Sequence, residues 1–239
     1  MPVVKNDETI QRRYYSRTAD RYESMHCTED GPHFLALAFL LGVLDYLKVR
    51  SLLDIGSGTG RAIRYLKQRR PELRVVGVEP VRELREIGYA GGLTEDELLA
   101  GDATNLRFGA RDFDLVSGFG VLHHIRNPEL AVAEMLRVAD KAVFISDSNN
   151  FGQGPPAIRF LKQIIDRLGL WKTAVFLRTG GRGYFFSEGD GLSYSYSVFN
   201  NYRQIRAQCR KTHLLSTGGS GVNLYKTATH IALLGIKGL

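Results

Sequence analysis

The stretch Leu52-Leu53-Asp54-Ile55-Gly56-Ser57-Gly58-Thr59-Gly60 decides the fold of this 239-residue chain. An apolar run ends in an acid, three glycines follow at alternate positions, and Arg61-Ala62-Ile63-Arg64-Tyr65-Leu66 takes up a helical pattern. This reads as a buried strand, a tight turn and a helix start, the arrangement by which α/β sheets receive a nucleotide-like ligand. Glycine permits positive φ in the turn and removes Cβ atoms where a ligand must touch backbone. The spacing is G-x-G-x-G, not the G-x-G-x-x-G that grips a pyrophosphate, and Asp54 stands two residues before the first glycine.

Outward from this turn, short apolar strands alternate with helical patterns from 51 to 147, the signature of a parallel, helix-covered sheet. Strands are expected at 51–56, 74–79, 98–101, 113–118 and 142–147, with helices near 60–69, 81–89 and 128–138. Asn127-Pro128 supplies a capping side chain followed by proline at the first helical position. Two helical patterns, 8–23 and 33–47, precede the first strand, and a helix at 156–168 follows the fifth. Residues 170–201 fit no simple period and carry eight aromatics among glycines and serines, Trp171, Tyr194 and Tyr196 among them. A helix at about 198–210 then leads to strand-like runs at 212–217 and 229–236. The chain is read as one doubly wound α/β domain over 1–239. Helices or a lid occupy 1–49, the ligand-binding core 50–150, a cap 151–210 and a terminal strand pair 211–239.

Composition narrows the class. An apolar fraction of 44% with 24% charged residues is that of a soluble globular domain. Cys27 and Cys209 give neither a disulfide framework nor metal-ligand spacing, so a reducing, cytoplasmic setting and no metal site are expected. The most apolar stretch, 34–44, is far shorter than the roughly 20 residues of a membrane span. The net charge of +7 is uneven: residues 1–149 carry 20 Lys and Arg against 22 Asp and Glu, whereas 150–239 carry 12 against 3. The basic rear section suits an anionic partner or substrate.

Four signals fall at the carboxyl ends of successive strands, where such sheets bind ligands. After the glycine turn comes Glu79, closing Val75-Val76-Gly77-Val78-Glu79, an acid able to accept hydrogen bonds from both hydroxyls of a ribose. Gly101-Asp102-Ala103 offers an acid to an adenine amine, and Ser117-Gly118-Phe119-Gly120-Val121-Leu122-His123-His124 follows the fourth strand.

In these four segments, taken with Pro80, Phe113-Asp114-Leu115-Val116 and Ile125, the chain resembles the class I S-adenosylmethionine-dependent methyltransferases of the small-molecule, type 11-like group. The resemblance covers roughly 50–150, and Tyr15-x-x-x-Ala19-x-x-Tyr22 is similar to the lid helix that precedes the fold in this group. It implies a seven-stranded Rossmann-like sheet ending in an antiparallel pair, and S-adenosyl-L-methionine as cofactor. It further implies that Gly56, Ser57 and Gly58 approach the methionine part through backbone, and that Asp54 orients the turn or reaches the cofactor's amino group. Glu79 would hold the ribose, Asp102 and Ala103 the adenine, with Pro80 also touching the cofactor, while Phe119 and Val121 flank it and Tyr15 closes over it. His123, or its neighbour His124, stands where a base would face the transferred methyl group, and a histidine pKa near 6.5 suits that task. The acceptor is expected to be a small molecule, anionic or aromatic, methylated on oxygen, with nitrogen and carbon acceptors left open. The alternatives are a tRNA methyltransferase, against which stands the lack of an Asn/Asp-Pro-Pro-aromatic motif after the fourth strand, and a non-catalytic binding protein. A nicotinamide oxidoreductase shares the ribose acid but not the glycine spacing.

Overall fold

The computed structural model describes residues 4–26, 30–219 and 221–238; Cys27 lies outside them. The central strand β1 (Ser51–Ile55) is buried on both faces and pairs in parallel with β2 (Arg74–Glu79) on one side and β4 (Phe113–Phe119) on the other. With β3 (Leu98–Ala100) and β5 (Ala139–Ser148) these make a five-stranded parallel region. Strand β9 (Ala228–Ile236) then inserts antiparallel between β5 and β8 (Lys211–Gly219), giving the order β3-β2-β1-β4-β5-β9-β8. This is the expected seven-stranded sheet. The order reverses between β1 and β4, and a ligand crevice opens above that switch point.

Alternation along each strand sends side chains to opposite faces, so two cores form. Leu53, Ile55, Val116 and Ile145 pack beneath α6 (Pro128–Val138), whose Met135 and Leu136 are fully buried. Leu52, Leu115 and Phe144 pack on the other face against Leu37 and Leu40 of α3 (Pro32–Val43) and Ile63 and Leu66 of α4 (Arg61–Arg69). Helix α5 (Arg82–Ala90) follows β2. Among the described residues no helix is long and apolar enough to cross a membrane.

The boundaries differ from the expectation where tertiary contacts override periodicity. The single helix expected over 8–23 is α1 (Val4–Thr18), a 3-10 turn (Ala19–Arg21) and α2 (Tyr22–His26). Thr18 Oγ1 bonds back to the Tyr14 carbonyl, and Ala19 buries against Val81 and Leu84. The region with no legible period holds α8 (Trp171–Arg178) and a hairpin of β6 (Phe185–Ser187) with β7 (Gly191–Ser193), after α7 (Pro156–Arg167). The helix expected over 198–210 starts as a 3-10 turn (Val198–Asn200) capped by Ser197, and continues as α9 (Tyr202–Gln208). The short α10 (Leu224–Thr227) links β8 to β9.

One packing point joins the sheet to the turn. A Cβ on Gly77 of β2 would lie 2.4 Å from Ser57 Oγ and 2.6 Å from Ile63 Cδ1. Ser57 cannot give way easily, because its hydroxyl is bonded to the Asp54 carbonyl. Gly77→Ala is therefore expected to destabilise the protein by about 1–3 kcal/mol, read as a lower urea midpoint. An unchanged midpoint would show that the turn moves freely.

Candidate active site

The turn after β1 runs through Gly56, Gly58 and Gly60, all at positive φ (63°, 56° and 81°), which L side chains rarely adopt. The Gly56 and Ser57 amides donate to the Val78 carbonyl, tying the turn to β2. Glu79, at the end of β2, is buried, and its two carboxylate oxygens accept from the Gly58 amide (2.9 Å) and the Val81 amide (2.8 Å). Burial pushes its pKa up to about 7 against the pull of those two bonds. Asp54 is buried too, accepts from Ser117 Oγ at 2.8 Å, and is pushed up by burial to about 6. Asp102 accepts from the Thr104 amide and hydroxyl, and from Arg12 of α1 at 2.9 Å.

These elements surround a pocket of about 130 Å³, whose lining includes Tyr15, Gly56, Glu79, Pro80, Asp102, Ala103, Phe119, Val121 and His124. Asp54 and Ser57 are not in that lining. They border a recess of about 20 Å³ together with Gly56, Phe119, Tyr22 and Arg61. Gly58 faces neither space: a Cβ there would strike the Tyr22 hydroxyl at 2.4 Å. Tyr22 thus stands between the pocket and the recess, bordering both.

A second cavity, of about 760 Å³, opens on the other side of the 3-10 turn Leu122–His124. Four of the eight cap aromatics line it: Trp171, Phe185, Tyr194 and Tyr196. Phe176 and Phe186 instead face outward. Of the cap arginines, Arg178 reaches the cavity, while Arg182, Arg203 and Arg206 do not line it.

Between the two spaces lies a ladder of charge. Asp147, fully buried at the end of β5, accepts from the Leu122 amide (2.8 Å) and the Ser148 amide (2.6 Å), and meets His123 Nδ1 at 2.7 Å. His123 Nε2 lies 3.3 Å from Asp190, carried on the β6–β7 turn. Burial alone would lower the His123 pKa, but the carboxylates of Asp147 and Asp190 overcome it and push it up to about 10. His123 therefore rests as an imidazolium at neutral pH. Asp147 is held down to about 2 by His123 against burial, and Asp190 well below the usual carboxylate range by both histidines. His124 goes the other way. Burial and the neighbouring His123 charge lower its pKa, and it rests neutral, with Nε2 3.0 Å from the Tyr15 hydroxyl and Nδ1 2.7 Å from the Leu192 carbonyl.

Sequence reasoning named His123 and His124 but missed their partners. Asp147 carried a readable signal, an acid closing a strand at the ligand end of the sheet. Asp190, Gln11 and Arg12 carried none, because only the folded chain brings them near. No metal site was expected, yet among the described residues His123, His124 and Asp190 form one group whose ligand atoms lie within 4.8 Å of one another. Its centre is already charge-balanced by the His123 imidazolium.

The order of the sheet, the glycine turn and the acids after β2 and β3 define a class I S-adenosylmethionine-dependent methyltransferase fold. Comparison with known proteins agrees. Residues 53–145 match the methyltransferase domain family. The demethylmenaquinone methyltransferase of Thermotoga maritima is 36% identical over 66 residues, a match spanning 28% of this chain and 28% of that enzyme. Among solved structures, an S-adenosylmethionine-dependent methyltransferase of Thermotoga maritima superposes with a TM-score of 0.59 at 18% identity, covering 95% of this chain and 99% of that one. Magnesium protoporphyrin IX methyltransferase of Synechocystis PCC 6803 with bound S-adenosylhomocysteine gives 0.62 at 16% identity, covering 98% and 100%. At such identities the superpositions show the fold.

The ladder has a pH signature. A histidine raised from 6.5 to about 10 contributes stability that is complete below pH 6.5 and lost as pH rises through 10. An Asp lowered from 3.8 to about 2 contributes stability present above pH 3.8 and lost as pH falls through 2. Asp147→Asn should cost about 3 kcal/mol near pH 5–6, with the gap to wild type narrowing toward pH 10. In the variant, the His123 ring resonances should titrate at lower pH than in wild type. A gap independent of pH, or an unmoved His123 titration, would contradict the ladder.

Proposed function

We propose that this protein transfers a methyl group from S-adenosylmethionine to a small-molecule acceptor seated in the 760 Å³ cavity, and that the accepting atom is an oxygen. The observation that carries this reading is the wall shared by the two spaces. His124 lines the smaller pocket, its neighbour His123 lines the larger, and their ring centroids are 4.0 Å apart. A group moved from one space to the other passes beside these rings.

The residues of the smaller pocket fit the cofactor's parts. Glu79 offers carboxylate oxygens to the ribose, Asp102 an acceptor to the adenine amine, and Pro80, Ala103 and Val121 apolar surface to the ring. Gly56, Ser57 and Asp54 border the recess suited to the methionine end, beside Arg61. Tyr15 and Phe119 close the sides. When bound, S-adenosylmethionine supplies the methyl group and the thioether leaving group, so the protein's work is positioning and proton removal.

Proton removal is assigned to His123. Asp147 holds Nδ1, which fixes the ring and aims Nε2 at the cavity and at Asp190. In the resting state that nitrogen carries a proton. An acceptor hydroxyl that takes the place of the Asp190 carboxylate at Nε2 removes one of the two charges holding the proton; the pKa falls, the Nε2 proton leaves to solvent, and the freed nitrogen accepts the hydroxyl proton. The cavity suits an elongated, largely apolar acceptor with a polar or anionic end: Leu161, Ile165, Trp171 and Val175 line it beside Arg61 and Arg178. A tRNA acceptor fits such walls poorly.

Calorimetry with S-adenosylhomocysteine tests the cofactor half. Glu79→Gln should weaken binding about 10- to 100-fold, the worth of a charge-assisted hydrogen bond or two, and absence of binding to wild type would sink the reading. For the chemistry, His123→Ala should keep cofactor affinity while turnover of a hydroxyl acceptor falls about 100-fold or more. Wild-type turnover in that variant would remove His123 from the mechanism.

A further inference from the structure

Helix α7 is amphipathic with its apolar side outward. Ala157, Phe160, Leu161, Ile164 and Leu168 recur at i, i+3, i+4, i+7 and i+11, and all five are exposed. Two of its polar side chains turn inward instead: Lys162 donates to the Asn150 and Gln153 carbonyls, and Asp166 accepts from the Tyr225 hydroxyl at 2.7 Å. The stripe continues past Gly169 into Leu170, Phe176 and Leu177 on and beside α8. Of the thirteen large hydrophobic side chains exposed among the described residues, eight lie between 158 and 177, with Phe160 67%, Leu168 66% and Leu177 72% exposed. Scattered exposed leucines need no explanation, but a contiguous apolar patch of this kind marks an interaction surface.

Charge identifies what it meets. Residues 155–186 hold six Lys and Arg, Asp166 is their one acid, and Arg167, Lys172, Arg178 and Arg182 are exposed around the apolar stripe. A helix pair presenting Phe and Leu outward within a cationic rim has the chemistry of an interfacial element on an anionic bilayer, where each basic residue adds attraction and the apolar side chains bury at the headgroup boundary. A second copy of this chain would bring the same cations face to face. Moreover, Ile158 and Leu161 belong both to the exposed patch and to the lining of the 760 Å³ cavity. The patch and the cavity thus share a wall.

We propose that α7 and α8 dock this protein on anionic lipid surfaces, with the cavity wall at Ile158 and Leu161 facing the bilayer, so that an amphiphilic acceptor reaches the cavity from the membrane. The docking stands on the patch alone. Only the acceptor's route rests on the methyl-transfer reading.

The test is flotation of the full chain, without cofactor or acceptor, on vesicles of phosphatidylglycerol and phosphatidylcholine in equal parts, compared with pure phosphatidylcholine. Wild type should bind the anionic vesicles about tenfold or more tightly than the neutral ones, and lose that preference at about 0.5 M salt. Phe160→Glu with Leu168→Glu should weaken binding to the anionic vesicles at least about tenfold, leaving the thermal melt and S-adenosylhomocysteine affinity unchanged. Should that pair lower the melt, Arg167→Gln with Lys172→Gln provides the check, removing charge from exposed positions and weakening only the salt-sensitive part. Equal binding to both vesicle types, no binding to either, or full binding by both variants would overturn the proposal. So would a dimer in light scattering that dissociates in the glutamate variant, which would give the patch to a second copy. Because no cofactor is present, failure here leaves the calorimetric test of the methyltransferase reading untouched.

Discussion

The placement of a single buried acid, Asp147, governs how the two halves of this molecule meet. It closes β5, is wholly removed from water, and balances its charge through His123 while accepting from the Leu122 and Ser148 amides. A buried carboxylate without such partners would cost several kcal/mol or take up a proton. With them, the 3-10 turn that follows β4 is pinned to the end of β5, and the His123 ring is aimed away from the sheet. Asp190 then meets the far side of that ring from the β6–β7 turn. One imidazolium therefore bridges an acid of the core and an acid of the cap. Removing the His123 cation would leave two carboxylates facing each other, so this one ring ties the cap to the sheet.

The surroundings of the smaller pocket were largely legible in the sequence because their pattern is local. Positive φ at Gly56, Gly58 and Gly60, an acid at the end of β2 and another after β3 each depend on a few neighbouring residues and on the parallel-sheet rule that ligands bind at strand ends. What the sequence did not disclose was how the turn is held. The Gly58 amide goes to Glu79, so the same acid that offers oxygens to the pocket also organises the turn, and Gly77 exists to let Ser57 approach β2.

The cap resisted reading for a physical reason. Residues 170–201 make short elements whose stability comes from partners far away in sequence: Gln11 and Tyr14 of α1 bond to the backbone of Leu192 and Glu188, and Ser195 takes bonds from Asn150 and Trp171. No local period encodes such contacts. Helix α7 shows the reverse difficulty. Its period was clear and its extent nearly right, but a hydrophobic stripe is assumed to face the core, and here the stripe faces out while Lys162 and Asp166 find partners inside. Period alone gives a helix and its apolar face, never the side on which the rest of the protein lies.

Helix α1 connects these halves in a way neither predicts alone. Neighbouring side chains within little more than one turn face different partners: Gln11 and Tyr14 hold the β6–β7 hairpin, Arg12 holds Asp102, and Tyr15 holds His124. The residues that flank the smaller pocket and those that anchor the cap are thus interleaved on one helix. On the proposed function, a ligand amine at Asp102 would compete with Arg12 for that carboxylate and, through the helix, would bear on the hairpin that carries Asp190. An acceptor displacing Asp190 from His123 would bear in the opposite direction on Tyr15 and the pocket. Coupling between the two spaces needs no large rearrangement, only that both compete for contacts of the same 15-residue helix.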